Sequence, residues 1–260
     1  MPEQSESSPQ IRERSGSLNT AYRLLNIVAG HSKTSEIAEN LSEARGRARE
    51  IVEKSGIMDF LNDGETHIDL GTGPGHILEE IKNKAVEQGK KIKFYGMDLL
   101  ANPFKSVRNR IEEKAEELNY TPLPRFLRGD ARALPFTDQS ADSVSLFFVL
   151  HHIPQADRER VLLEIDRVLK IGGRFILVED TSEKEQLKSA KRLDKIANYG
   201  LKQKGDNLSA DEWKNTLEQR GYRLENSTPF TSKIAGKDIP HTCMVFTWEG
   251  KPLEVVSSGY

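Results

Sequence analysis

The chain has 260 residues and a mass of 29.3 kDa, with 36% hydrophobic, 30% charged and 7% aromatic residues. That profile fits a globular protein with enough apolar matter for a core and excludes a fibrous or largely disordered one. The 38 basic and 40 acidic side chains leave a formal charge of -2 with no basic stripe, so no nucleic-acid partner is expected, and the single cysteine, Cys243, excludes an intrachain disulfide and a cysteine zinc cluster.

Residues 1–16 (MPEQSESSPQIRERSG) offer Ser, Glu, Gln and Pro with little to bury, and read as a disordered tail. Over 17–62 the pattern is helical, with Ile37, Leu41, Ala44, Ala48, Ile51 and Val52 recurring three or four residues apart on one face. No apolar run resembling a secretory signal opens the chain. The longest apolar stretch, Val144 to Leu150 broken by Ser145, falls far short of the roughly 18 residues that cross a bilayer. No membrane insertion is therefore expected, and the cytoplasm is the expected compartment.

Over 63–250 the rhythm changes. Short apolar runs at Thr66–Leu70, Ile92–Asp98, Arg125–Asp130, Asp142–Leu150 and Arg174–Glu179 read as strands. Helical patterns lie between them, carried by Ile77, Leu78, Ile81 and Ala85, by Val107, Ile111, Ala115 and Leu118, and by Val161, Leu162, Ile165, Val168 and Leu169. Strands separated by helices of this length imply right-handed crossovers, hence an α/β protein with a doubly wound, mainly parallel sheet. Residues 181–208 interrupt that order with a polar helical stretch whose stripe of Leu187, Ala190, Leu193 and Ala197 is thin, as expected of a cap insertion. Ser209 and Glu212 form a capping box before a helix holding Trp213 and Leu217, which Gly221 ends. Two strands around Tyr222–Ser227 and Thr242–Trp248, antiparallel to each other across a hairpin-like loop, close the domain, and 251–260 is a loose tail.

The segment His67-Ile-Asp-Leu-Gly-Thr-Gly-Pro-Gly-His76 runs from a strand through three glycines into a helix. Glycines there let the backbone turn sharply and approach a ligand with no Cβ in the way. A dinucleotide fingerprint, G-x-G-x-x-G, would put its third glycine at position 76, where the chain has His76, and this argues against a dehydrogenase. Asp98 closes the second strand, where a carboxylate can accept from both hydroxyls of a ribose; an exposed turn aspartate is the alternative. Asp130, ending the third strand, is placed to accept from the exocyclic amine of a purine. His151 and His152 follow the fourth strand, and either is a candidate general base or substrate contact, with capping and packing as the alternatives. Glu179 and Asp180 end the fifth strand on the same rim, as substrate contacts or turn caps. No third ligand accompanies these groups at a suggestive spacing, so no metal is expected.

On these residues the chain resembles the class I methyltransferases that use S-adenosyl-L-methionine, and within them the small-molecule branch that includes the ubiquinone and menaquinone C-methyltransferases. The resemblance rests on Asp69-Leu-Gly-Thr-Gly-Pro-Gly75, Gly129-Asp-Ala-Arg-Ala-Leu-Pro-Phe136, Ala141-Asp-Ser-Val144, Leu150-His-His-Ile153 and Glu164-Ile-Asp-Arg-Val-Leu-Lys-Ile-Gly-Gly-Arg174. It covers roughly 64–180 and continues more weakly to 248. It implies a Rossmann-like seven-stranded sheet with the last strand antiparallel, S-adenosyl-L-methionine bound over the C-terminal strand ends, and a small-molecule methyl acceptor. Carried over position by position, it implies that Gly71, Gly73 and Gly75 contact the methionine portion with Asp69 beneath them. Asp98 would hold the ribose, Leu99 would lie against the adenine, and Asp130 and Ala131 would meet the adenine edge. Phe147 and Phe148 would border the sulfonium, and His152 is favoured over His151 as the catalytic histidine facing the acceptor. After Asp98 the chain reads Leu-Leu-Ala-Asn-Pro-Phe where the family has a short polar turn, so the adenine wall is expected to differ. Methylation of RNA or protein, and a cofactor-binding regulatory protein without catalysis, are the alternative readings. The near-neutral charge, and Phe147-Phe-Val-Leu150 in place of an Asn-Pro-Pro-Tyr type motif, count against the first.

Overall fold

The computed structural model describes residues 34–99, 123–180, 208–234 and 237–250. The tail at 1–16, the helix expected over 107–118, nearly all of the cap expected over 181–208 and the tail at 251–260 lie outside the described residues. The elements in chain order are α1 (Thr34–Ser55), β1 (Thr66–Leu70), α2 (His76–Glu87), β2 (Lys93–Asp98), β3 (Arg125–Arg128), β4 (Ala141–Phe147), α3 (Gln155–Val168), β5 (Leu169–Glu179), α4 (Ala210–Gln219), β6 (Tyr222–Ile234) and β7 (Lys237–Trp248). Short 3-10 turns follow α1 at Ile57–Phe60 and β4 at Leu150–His152.

The strands form one seven-stranded sheet in the order β3-β2-β1-β4-β5-β7-β6. The pairs from β3 to β5 are parallel, while β7 runs antiparallel to both β5 and β6. Successive side chains on a strand point to opposite faces, and both faces here are covered. Ile68, Leu70, Val144, Leu146 and Leu177 pack beneath α3 and α4, against Val161, Leu162, Ile165, Trp213 and Leu217. Phe94, Ile176, Val178, Cys243 and Val245 pack on the other face beneath α1 and α2, against Ile51, Val52, Leu78, Ile81 and Ala85. The helical spacing in the sequence therefore names the buried faces of α1, α2 and α3. Gly56, at φ 67°, ends α1, and the chain drops through buried Ile57 and Leu61 into β1.

Several boundaries differ from the expectation. The fifth strand starts at Leu169, five residues before Arg174, so Leu169 opens β5 and does not belong to α3. The third strand stops at Arg128, and Asp130 instead forms an isolated bridge with Ala133. The fourth strand stops at Phe147, because Phe148 turns to a positive φ of 59° and Leu150 begins the 3-10 turn. The last two strands reach far beyond the expected segments, pairing continuously from Tyr222↔Trp248 to Ile234↔Lys237 apart from a register shift between Leu224 and Asn226. The segment expected as a hairpin-like loop carries Pro229 and Pro240, yet a strand that lacks a neighbour on one side tolerates proline. β6 is the edge of the sheet, and β7 leaves β5 at Thr242, so Pro240 sits in an overhang where its missing N–H breaks no ladder.

The capping box at α4 forms as read: Ser209 Oγ accepts from Glu212 N at 3.2 Å, and Ser209 N donates to Glu212 Oε2 at 2.7 Å. This helix carries Trp213 and Leu217 into the core. Ser209→Ala should lower the unfolding free energy by about 1 kcal/mol in urea titration, with the slope of the transition unchanged.

Candidate active site

The order β1-β4 in the middle of the sheet is the point at which the chain reverses its direction of travel, so the loops leaving these two strands diverge and open a crevice at their C-terminal ends. The loop after β1 is the glycine segment. Gly71, Gly73 and Gly75 all take positive φ, at 70°, 54° and 86°. Gly71 and Thr72 donate their amides to Met97 O at 2.7 and 3.1 Å, which bends the loop over the end of β2. A Cβ on Gly71 would stand 2.5 Å from a methyl of Val149, whereas one on Gly73 would meet nothing within 4 Å. Gly71 is thus required by packing, and Gly73 presents bare backbone to open space beside the first turn of α2.

Asp98 ends β2 directly across this loop, and its Oδ2 accepts from Gly73 N at 2.9 Å. Leu99, the next residue, is 47% exposed on the rim. Asp130 and Ala131 lie beyond it. The Asp130 carboxylate accepts from Arg132 N at 2.9 Å and from the Arg132 guanidinium at 2.6 to 3.1 Å, and this ion pair holds its pKa below the usual carboxylate range. An adenine amine would have to share the carboxylate with Arg132. The whole turn is moored to α3: Glu164 Oε2 accepts from Leu134 N at 2.6 Å, and the Arg167 guanidinium donates to Leu134 O and Phe136 O at 3.0 and 2.8 Å. Glu164 and Arg167 were legible only as parts of a motif; their role is to fix the loop that carries Asp130.

Beneath the glycine loop lies a buried polar row between β1 and β4. Ser143 Oγ is 2.8 Å from His67 Nδ1, His67 Nε2 is 3.0 Å from Ser145 Oγ, and Ser145 Oγ donates to Asp69 Oδ1 at 2.7 Å. Burial pushes the imidazole down to about 3, so it is neutral. Because the single Ser145 proton goes to Asp69, Ser145 must accept from His67 Nε2–H, and Nδ1 must then accept from Ser143. One tautomer satisfies the row. The alternation His67-x-Asp69 against Ser143-x-Ser145 in otherwise apolar strands was the available sign of it.

Across the crevice, at the end of β4, Phe147 is buried and Phe148 half-buried, the latter tied to β5 by its amide, which donates to Val178 O at 2.8 Å. His151 is buried with Nδ1 2.5 Å from Glu179 Oε2, while Glu179 Oε1 accepts from Leu150 N at 2.7 Å. His152 is the half-buried member of the pair, its ring centroid 3.8 Å from that of His151. Glu179 and Asp180 therefore both orient histidines, because Asp180 Oδ1 lies 2.7 Å from Nδ1 of His241. His241 falls in the hairpin segment that the sequence presents as a loop, and no local pattern pointed to it.

Known proteins can now be compared with this geometry. Residues 68–177 match the family described as a methyltransferase domain. The ubiquinone/menaquinone biosynthesis C-methyltransferase UbiE of Rickettsia prowazekii is 30% identical over 129 residues, which is 50% of this chain and 50% of that protein. Demethylmenaquinone methyltransferase of Thermotoga maritima is 31% identical over 115 residues, 44% of this chain and 43% of that one. The chain thus spans about half the length of the curated relatives it matches. Among solved structures, a SAM-dependent methyltransferase from Methanosarcina mazei shares the fold with a TM-score of 0.54 at 19% identity, over 76% of this chain and 97% of that one. Over the matched segment the chain is similar to methyltransferase domains, and its sheet has the fold of the solved methyltransferase. It resembles the UbiE proteins.

Two measurements probe the loop. Gly71→Ala combines a left-handed backbone with the clash against Val149 and should cost about 2–4 kcal/mol in urea unfolding, whereas Gly73→Ala, strained but unobstructed, should cost about 1 kcal/mol. Burial, aided by the charge of Asp98, pushes Asp69 up to about 6 from 3.8, so the folded protein binds this proton more tightly than the unfolded chain. Its contribution to stability is then lost as pH rises from about 4 to about 6. Asp69→Asn should lack that loss: relative to the parent, its melting temperature should gain progressively across this window and level off above it. A pH-independent difference would remove Asp69 as the titrating group.

Proposed function

We propose that the protein transfers a methyl group from S-adenosyl-L-methionine to a small-molecule acceptor. The observation that carries this reading is the pairing of a bare, positive-φ glycine loop with Asp98, joined by the bond from Gly73 N to Asp98 Oδ2 at 2.9 Å, at the crevice of a class I methyltransferase sheet. In this reading the loop at Gly71, Gly73 and Gly75 and the first turn of α2 receive the methionine carboxylate, and Asp69 lies beneath. Asp98 takes the ribose diol, Leu99 covers one face of the adenine, and Asp130 and Ala131 meet its edge. Phe147 and Phe148 border the sulfur.

When bound, the cofactor supplies a methyl group on a positively charged sulfur, and that charge disappears as the bond to the acceptor forms. The residues of the chain therefore chiefly align the partners and exclude water, a contribution worth several kcal/mol. His152 is the group that receives the acceptor proton, with the buried His151–Glu179 pair fixing the turn from which it projects. No helix among the described residues is long and apolar enough to cross a membrane.

S-Adenosyl-L-methionine and its demethylated product should raise the melting temperature through linkage, and NAD should not. Calorimetry showing NAD binding without S-adenosyl-L-methionine binding would overturn the reading. In single turnover with labelled cofactor and small-molecule extract as acceptor source, His152→Ala should transfer methyl ~10²-fold more slowly while binding the demethylated cofactor as the parent does. A folded variant that transfers at the parental rate takes His152 out of the mechanism.

A further inference from the structure

The overhanging end of the β6–β7 ribbon folds a brace against the acceptor side of the crevice. His241 is clamped by Asp180 Oδ1 at Nδ1 and by Ser232 Oγ at Nε2, both at 2.7 Å. Ser, His and Asp in this order have the partners of a nucleophilic triad, but Ser232 is fully buried and out of a substrate's reach. The trio instead fixes the imidazole ring, and the ring fixes its neighbours: Phe230 lies 5.2 Å from it and Phe148 4.9 Å, edge to face. Phe148 is also held through its backbone, at φ 59° with its amide on β5. It is a rigid aromatic platform at the C-terminal edge of β4 and β5.

Arg47 of α1 lies on that platform, with its guanidinium carbon 5.5 Å from the ring centroid of Phe148. The side chain is half-buried, and its Nε is shut off from solvent with no hydrogen-bond partner. Each carboxylate near enough to act on it is engaged elsewhere. Asp180 spends Oδ1 on His241, and Glu50 accepts from Lys54 Nζ at 2.7 Å and from Lys233 N at 3.3 Å. Among the described residues Arg47 forms no ion pair. A desolvated guanidinium with an unsatisfied N–H is costly unless a ligand completes it, and its planar fork matches a planar oxyanion.

We propose that Arg47 is the anion-recognising residue of the acceptor pocket, and that the methyl acceptor carries a carboxylate on a flat, unsaturated body that lies along Phe148. The inference rests on the methyl-transfer reading for the word acceptor, while the anion site itself stands on the geometry of Arg47, Phe148 and the His241 brace. Arg47 positions the acceptor; the proton is handled elsewhere, at His152.

Benzoate and its neutral counterpart benzamide are the probes, titrated by saturation-transfer NMR and calorimetry against the full chain, with and without the demethylated cofactor S-adenosylhomocysteine. The parent should bind benzoate about tenfold or more tightly than benzamide, the range expected for a charge-assisted pair. Arg47→Gln should reduce that preference to within about twofold while the melting temperature and the affinity for S-adenosylhomocysteine stay as in the parent, and Arg47→Lys should recover only part of it. Equal binding of the two probes by the parent, or a preference that survives in Arg47→Gln, overturns the proposal. If S-adenosylhomocysteine fails to bind but the Arg47-dependent preference for benzoate persists, the anion site stands and the methyl-transfer reading falls.

Discussion

The parallel pairing of β1 with β4, in register from His67↔Ser143 to Leu70↔Leu146, is the constraint on which the rest of the molecule depends. A chain that places its fourth strand beside its first must send the loops after those two strands in opposite directions, and the crevice between them is a by-product of strand order. The same pairing aligns His67 and Asp69 with Ser143 and Ser145 on one face. A row of polar groups that would be prohibitive singly becomes fully satisfied, with one tautomer and one direction of donation. A slip of either strand by one residue would turn its two polar side chains to the opposite face, away from their partners, so the polar row also penalises wrong register.

Around that centre, rigidity is supplied by charge as much as by packing. Glu164 and Arg167 of α3 bind backbone groups of the turn after β3, and Asp142 joins Thr66 N to Lys170 Nζ across the N-terminal ends of the strands. Most of these groups are partly exposed, so each pair contributes little to stability by itself. Their effect is geometric. They hold loops that have no regular hydrogen-bond ladder of their own, and the crevice is lined by such loops.

Much of this was legible in the sequence, and unevenly so. Strands buried on both faces announce themselves as short apolar runs, which is why β1 was read to the residue and β2 to within one. Helices announce one face, and Ile51, Ile81 and Ile165 all fall where the period puts them. The glycine loop was legible because the sharp turn after β1 needs residues that take positive φ, and Asp98 because it ends the next strand. Position 130 was legible as an acid, but its engagement by Arg132 depends on a turn geometry that a strand reading hides. The long ribbon was missed because only Tyr222–Ser227 and Thr242–Trp248 were read as strands, while the paired stretch between them lies in an overhang beyond β5. With it went Ser232 and His241, whose function as a clamp depends on Asp180, some 60 residues away. Arg47 lay in plain view on a helical pattern, where a polar residue between apolar ones is the ordinary solvated face; only its position over Phe148 distinguishes it.

The ribbon that overhangs β5 divides the labour of the chain. The glycine loop, Asp98 and Asp130, proposed to meet the methionine, ribose and adenine portions of the cofactor, leave the sheet between β1 and β3, whereas the brace under Phe148 is assembled from the end of β5 and the far end of a two-stranded extension. Lengthening, shortening or retwisting that extension would reshape one wall of the crevice and leave the glycine loop, Asp98 and the buried row beneath them where they are. Under the proposed function, changes of acceptor preference can then accumulate in a peripheral hairpin, at an edge where the sheet has no further strand to disturb, while the half of the site proposed to hold the cofactor stays as it is.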